Sequence, residues 1–298
     1  MSRKLPPQRI AITGASGLIG TALVGHLRSE GHTVQRLVRR VPISPDEVQW
    51  NPQAGTVDLD ALRGVDAIIH LAGAGVGDKR WTKKYKAEIL NSRLLGTTAI
   101  ASAVNELKPS VFISSSAIGW YGETGNRAVS ETDRAGDDFL ATVCREWEAA
   151  ADIAEGVRTV KIRTGLVLDP TGGALGRMLP LFRFGLGGKL GSGNQWWSWI
   201  TLHDHIRAIC HLLESNLSGA VNLTSPNPVT NQEFTAALAR ALHRPALFPA
   251  PAFALKLALG GFSTEILGSK KVLPTALVDD GFEFAYPNVV NALNALIE

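Results

Sequence analysis

The chain has 298 residues, 45% of them hydrophobic and 19% charged, with a net charge of +3. This is a globular composition with ample material for a core, and a small charge excess without a basic tract gives no case for nucleic-acid binding. The two cysteines, Cys144 and Cys210, form neither a metal-ligand spacing nor a disulfide framework and fit a reducing, cytoplasmic setting.

In chain order, residues 9–13 are an apolar strand, followed by Gly14-Ala15-Ser16-Gly17-Leu18-Ile19-Gly20 and an amphipathic helix over 18–30 that stops at Gly31. A strand, a glycine turn and a helix bring unpaired N–H groups and a helix dipole up to a pyrophosphate. Glycines allow the tight turn, the close cofactor approach and the helix–strand packing. Gly14, Ser16, Gly17, Leu18, Ile19 and Gly20 are therefore candidate cofactor contacts, against the alternative of an ordinary glycine-rich turn. The second strand, 33–38, ends in Arg39-Arg40 where an acidic residue would accept from an NAD ribose. Two guanidinium groups there favour the 2′-phosphate, hence NADP(H) over NAD(H); a solvated basic turn is the alternative.

The next strand, 67–71, closes on Leu71, Ala72 and Gly73, whose small side chains let a cofactor ribose lie against the backbone; His70 is read as a packed strand residue. A long helix over 83–105, a strand over 110–114 running into Ser115-Ser116, a helix over 138–154 and a strand over 159–162 continue the alternation. This predicts an α/β fold with a doubly wound parallel (Rossmann) sheet. Residues 170–193 are glycine-rich and read as a loop-rich excursion anchored by Leu175, Met178, Leu179, Leu181, Phe182 and Phe184. A helix over 204–215 and a strand over 219–224 follow, and the tail from Asn231 is mostly helical. The expected organisation is a dinucleotide-binding domain over 1–168, to which 200–228 returns. A smaller, mostly helical substrate lobe takes 169–199 and 229–298. Residues 1–8 contain no apolar signal core. Residues 249–261, broken by Lys256 and prolines, fall short of the ~20 needed to span a bilayer.

Gly14 to Gly20, His70-Leu71-Ala72-Gly73, Ser114-Ser115-Ser116-Ala117 with Tyr121-Gly122, and Arg163-Thr164-Gly165-Leu166-Val167-Leu168 together resemble the extended short-chain dehydrogenase/reductase family. The segment from Gly191 to Ile200, His203-Asp204, the tail Pro249-Ala250-Pro251-Ala252-Phe253, Val272-Leu273-Pro274 and Gly281-Phe282-Glu283-Phe284 look like an atypical branch, NAD(P)-dependent "epimerase family" proteins with their own short C-terminal domain. The resemblance implies a catalytic Ser and a Tyr-x-x-x-Lys pair, in which the Lys one helical turn on stabilises the phenolate. Ser116 matches the Ser, and Ser114 joins the cofactor set. None of the three tyrosines has a Lys four residues later. Aligning Glu148 with the family's acidic residue puts Leu140 at the Tyr position and Cys144 at the Lys position, so the proton has to come from a substitute such as Tyr121, or through water. The family's Asn ahead of Gly96-Thr97 is Arg93, a fixed cation beneath the cofactor or substrate carbonyl. Arg93 and Glu88 are expected either to contact cofactor or to pair with each other, and Arg163 is a further candidate on the nicotinamide side. Trp81, Trp120, Trp196, Trp197 and Trp199 suit either stacking on a ligand or lobe packing.

Two functions follow. One is an NADP-dependent oxidoreductase or epimerase acting on a small carbonyl or sugar-type molecule, with Ser116 and Tyr121 as catalytic candidates. The other is an NADP-binding sensor that has lost the acid–base pair. By analogy with the extended family, a homodimer would form through the helices 83–105 and 138–154.

Overall fold

The computed structural model describes residues 6–297, so most of the segment 1–8 lies outside the described residues. Its centre is an eight-stranded sheet: β1 (Arg9–Thr13), β2 (Thr33–Val38), β3 (Glu47–Asn51), β4 (Thr56–Val57), β5 (Ala67–His70), β6 (Val111–Ala117), β7 (Arg158–Thr164) and β8 (Gly219–Leu223). The spatial order is β8-β7-β6-β5-β1-β2-β3-β4. All neighbours run parallel except β4, which is antiparallel to β3. Ile10, Ala11 and Ile12 of β1, and Val111, Phe112 and Ile113 of β6, are fully buried. Such continuous apolar runs belong to strands covered on both faces.

One face packs on α1 (Leu18–Ser29) and, later in the chain, on a helix over Leu202–Glu214, through Ile12, Leu23, Leu27, Ile206 and Ile209. The other packs on α2 (Lys83–Leu107) and α3 (Phe139–Ala151), through Ile68, Phe112, Ile100, Val104 and Ala151. Asp138 caps α3 by accepting from Ala141 N at 2.8 Å, a cap worth about 1 kcal/mol. The chain winds one way through β1, β2 and β3, and the other way from β5 onward. The crevice at the carboxyl ends of β1 and β5 is thus the topological switch point, where open α/β sheets bind ligands.

The excursion over 170–193 differs from the expectation, because it contains a helix, α4 (Gly173–Arg183). Leu175, Met178, Leu179 and Phe182 recur at helical spacing, and that stripe outweighs the glycines around it. Leu175, Leu179 and Phe182 join Trp199, Phe234 and Leu293 in a second core. That core takes in the strand before α5 (Leu202–Glu214), together with α6 (Asn231–Ala241) and the last helix, Val289–Ile297. Between these lie α7 (Ala252–Leu259), α8 (Ser263–Leu267) and α9 (Thr275–Asp279). Small strand pairs sew this lobe to the sheet: Trp199–Thr201 beside Leu166–Asp169, and Lys271–Val272 beside Ala128–Val129.

Candidate functional site

The glycine turn sits at the switch point. Gly14 has φ +67°, and a Cβ there would meet Leu71 C at 2.8 Å, so the turn lies flush against the chain leaving β5. A Cβ on Gly20 would sit 2.1 Å from Gly14 O, which fixes Gly20 as the close helix–turn contact. Gly17 is exposed, its added Cβ would come no nearer than 3.4 Å to Gly14 O, and it begins α1 with no side-chain cap. The N–H groups of Leu18, Ile19 and Gly20, in the first turn, are therefore offered to an anion rather than to the chain's own side chains. Beneath them Thr13 Oγ1 accepts from Leu71 N at 3.1 Å and Ala72 N at 3.2 Å, and lies 2.7 Å from His70 Nδ1. Burial pushes His70 down to about 3, so it stays neutral and structural.

The two arginines after β2 part company. Arg40 grips Glu47 of β3 with two bonds, at 2.7 and 2.6 Å, and holds that carboxyl below its usual range. The two guanidinium groups are therefore unequal: Arg40 is held by Glu47, with its side chain still 52% exposed. Arg39 is exposed and carries no bond or ion pair among the described residues.

Arg93 and Glu88 do not pair. Glu88 is exposed and lies 3.5 Å from Lys79. Arg93 donates through Nη1 to Ala74 O at 2.9 Å and Ile89 O at 3.1 Å, with its face 4.7 Å from the Trp147 ring centre. Among the described residues no carboxylate pairs with it, and burial lowers its pKa. A Cβ on Gly73 would stand 3.4 Å from its Cζ, so Gly73 lets the strand end lie directly over this cation.

The expected catalytic corner is closed. Ser116 Oγ donates to Glu148 Oε1 at 2.7 Å. The same carboxylate takes Arg163 Nε at 2.8 Å and Nη2 at 3.0 Å. Arg163 Nη1 donates to Tyr121 Oη at 3.0 Å, Tyr121 Oη donates to Asn222 Oδ1 at 2.7 Å, and the Trp120 ring centre lies 3.9 Å from Arg163 Cζ. Ser116, Tyr121, Glu148 and Arg163 are all buried. Burial opposes the charge on Arg163, but Glu148 more than compensates and raises its pKa. Burial also pushes the Tyr121 hydroxyl up to about 12 despite the guanidinium beside it. Tyr121 is thus a poor proton carrier, and Arg163 is a structural cation rather than a nicotinamide contact. Ser114 is fully buried, with no hydrogen-bond partner for its hydroxyl among the described residues.

At the positions of the missing pair, Leu140 and Cys144 pack against the 118–121 turn: a Cβ on Gly119 would meet Leu140 Cβ at 3.3 Å and Cys144 Sγ at 3.5 Å. Burial pushes the Cys144 thiol up to about 12. Trp81, Trp197 and Trp199 stack or pack within the protein, which resolves the tryptophan alternatives toward packing for these three. Sequence reasoning used Glu148 only as an alignment mark. Its place one turn beyond Cys144, on an apolar helix face, was the available sign of a buried carboxylate needing a cation. A cavity of about 400 Å³ opens between residues 191–195, α7 and α8, lined by Glu123, Ser192, Gln195 and Lys256 among others. It offers both signs of charge to a polar substrate.

The chain matches the NAD dependent epimerase/dehydratase family over residues 10–224 and a domain of unknown function (DUF1731) over residues 250–296. It is 44% identical over 289 residues to an epimerase family protein of Mycobacterium leprae, covering 96% of this chain and 94% of that one. It is 37% identical to the chloroplastic SDR39U1 homolog of Arabidopsis thaliana, covering 100% of this chain and 89% of that one. The crystal structure of human epimerase family protein SDR39U1 with NADPH superposes with a TM-score of 0.89 at 31% identity, over 97% of this chain and 99% of that chain. A nucleoside-diphosphate sugar epimerase from Corynebacterium glutamicum gives 0.79 at 35% identity, over 98% of this chain and 58% of that longer one.

Proposed function

The chain belongs to the NAD dependent epimerase/dehydratase family, and from that premise we propose that it binds NADP(H) in preference to NAD(H) and acts as an oxidoreductase or epimerase on a small carbonyl or sugar-type molecule. The observation that carries the cofactor choice is Arg39, exposed and unpaired at the end of β2, close in the fold to the uncapped start of α1. The NADPH in the human relative's crystal structure supports the same choice. In this reading the α1 amino terminus, from Gly17 to Gly20, holds the pyrophosphate, Arg39 meets the 2′-phosphate, and Leu71, Ala72 and Gly73 lie along the ribose. Arg93, cationic and without a carboxylate partner, polarises the reacting oxygen from beneath Gly73. When bound, the nicotinamide would supply or accept the hydride, with the matching proton passing to or from water. Ser116, Tyr121 and Arg163 hold the floor of the site rigid and take no part in proton transfer, and the cavity beside Glu123 and Lys256 receives the substrate.

The test is a pair of titrations. Arg39→Glu should weaken NADPH at least tenfold and leave NADH within about twofold, since one charge-assisted bond contributes about 1.5–3 kcal/mol. Equal loss for both cofactors would remove Arg39 from the 2′-phosphate.

A second reading is an NADP(H)-binding sensor without turnover. Its support is specific: Leu140 and Cys144 occupy the acid–base positions, and Ser116 and Tyr121 are consumed by Glu148, Arg163 and Asn222. NADPH oxidation measured over a panel of aldehydes, ketones and sugar nucleotides separates the readings. Tight NADPH binding with no turnover on any of them favours the sensor.

A further inference from the structure

One face of the C-terminal lobe is apolar and is built from segments without an acidic residue. Helix α7 reads Ala-Phe-Ala-Leu-Lys-Leu-Ala-Leu and buries none of its residues. Phe253 is 75% and Leu257 76% exposed. Phe248 N donates to Gly187 O at 3.1 Å and Ala250 N to Lys189 O at 2.9 Å, which lays the chain entering α7 beside the stretch that leaves α4. On that stretch Phe184 is 81% exposed. Arg244 Nε donates to Arg183 O at 3.2 Å and ties the end of α6 to the same surface. Single exposed apolar side chains are ordinary, whereas a contiguous set marks an interaction surface.

The charges that these segments supply have one sign. Residues 170–203 and 234–264 contain no Asp or Glu, yet they hold Arg177, Arg183, Lys189, Arg240, Arg244 and Lys256. With 27 acidic residues in the chain, this is a local gap rather than a general shortage. Carboxylates approaching from other segments are committed: Asp78 to Arg177 at 3.1 Å, Glu265 to Lys270 at 2.9 Å, and Glu123, which shares the cavity with Lys256, to Ser269 N at 2.9 Å.

We propose that this face docks on the interface of an anionic lipid bilayer. Phe and Leu enter the boundary between headgroups and acyl chains, while the long cationic side chains lie along the apolar surface and present their charge to lipid phosphates. A second copy does not fit, because a two-fold contact through this face would set cations against cations. Protein partners are usually anchored by Trp and Tyr, whereas the large exposed apolar side chains here are Phe and Leu. Among the described residues no helix is long and apolar enough to cross a membrane, so the contact lies on the surface.

The experiment sediments the full chain with vesicles of phosphatidylcholine alone, or of phosphatidylcholine mixed with phosphatidylglycerol, across a salt series. Binding should require the anionic lipid and weaken with salt. Arg183→Gln should lower the partition coefficient about fivefold, the equivalent of about 1 kcal/mol per surface cation. Phe253→Glu with Leu257→Glu should lower it more than tenfold, while Ile153→Glu, on the opposite domain, leaves it unchanged. Thermal unfolding of each variant confirms that it is folded. The proposal is overturned by absence of binding to either vesicle, by equal binding to both, or by full binding of the double variant. Sedimentation velocity closes the remaining route: self-association abolished by Phe253→Glu with Leu257→Glu would assign the face to a second copy and refute the lipid assignment.

Discussion

Glu148→Gln removes the charge around which the Ser116–Arg163–Tyr121 corner is built. The Arg163 and Glu148 side chains are 4% and 5% exposed, so neither has water to fall back on. Taking away one partner of such a pair costs about 3–5 kcal/mol, because the other charge stays buried. Here the lower end applies. Arg163 keeps Tyr121 Oη at 3.0 Å, Glu131 O at 3.3 Å and the face of Trp120, and the new amide oxygen can still accept one bond. A loss of about 3 kcal/mol corresponds to a fall of roughly 5 °C in Tm for a chain of this size. Thermal unfolding followed by circular dichroism measures it. Glu148→Leu combined with Arg163→Met, which removes both charges, should be less destabilised than the sum of the single changes. Ser116→Ala leaves the ion pair intact and should cost only about 1 kcal/mol, with NADPH affinity unchanged. A Glu148→Gln protein within 1 kcal/mol of wild type, or strict additivity in the double variant, would refute the buried-pair argument.

Gly17→Ala should fold with nearly unchanged Tm but bind NADPH at least tenfold more weakly, since its methyl fits the turn and intrudes on the helix mouth. Gly20→Ala should fail to fold stably, its Cβ falling 2.1 Å from Gly14 O; equal Tm values for the two variants would contradict this division. Burial pushes both His70 and His205 down to about 3 from 6.5. The native rings therefore stay neutral where the unfolded chain takes up protons, so stability rises with pH between about 3 and 6.5 and is lost on acidification through that window. In mid-window each ring contributes a slope of about 1.4 kcal/mol per pH unit; His70→Asn should flatten denaturant-measured stability against pH by about that amount, and an unchanged slope counts against it. Tyr121→Phe should lower stability by about 1–2 kcal/mol, through the loss of the bonds to Asn222 and Arg163. NADPH affinity should hold, and a change in affinity without a change in Tm would restore Tyr121 to the cleft.

The β1–turn–α1 unit was legible because its signals are local: an apolar run, glycines where a Cβ cannot fit, then an amphipathic helix. The strand-by-strand alternation carried the parallel sheet in the same way. The helix Gly173–Arg183 was obscured by Gly172, Gly173 and Gly176, although Leu175, Met178, Leu179 and Phe182 already stood at helical spacing. The absence of a Tyr-x-x-x-Lys pair was also plain in the chain, and the packing of Leu140 and Cys144 against Gly119 gives it a physical form.

What the sequence could not rank was the use of each polar residue. Arg39 and Arg40 are adjacent and chemically alike, but only Arg40 finds Glu47, because β3 pairs with β2 and sets Arg36 opposite Glu47. Ser116 and Tyr121 read as site residues until α3 brings Glu148, and β8 brings Asn222, within 2.7 Å of them. By itself the sequence determined the fold and the glycine turn at its switch point, since periodicity and glycine sterics act over a few residues. Only the tertiary structure decided which charges remain free to meet a ligand. A buried group takes whichever partner the packing places beside it, 15 residues away for Arg163 and Glu148 and 101 for Tyr121 and Asn222.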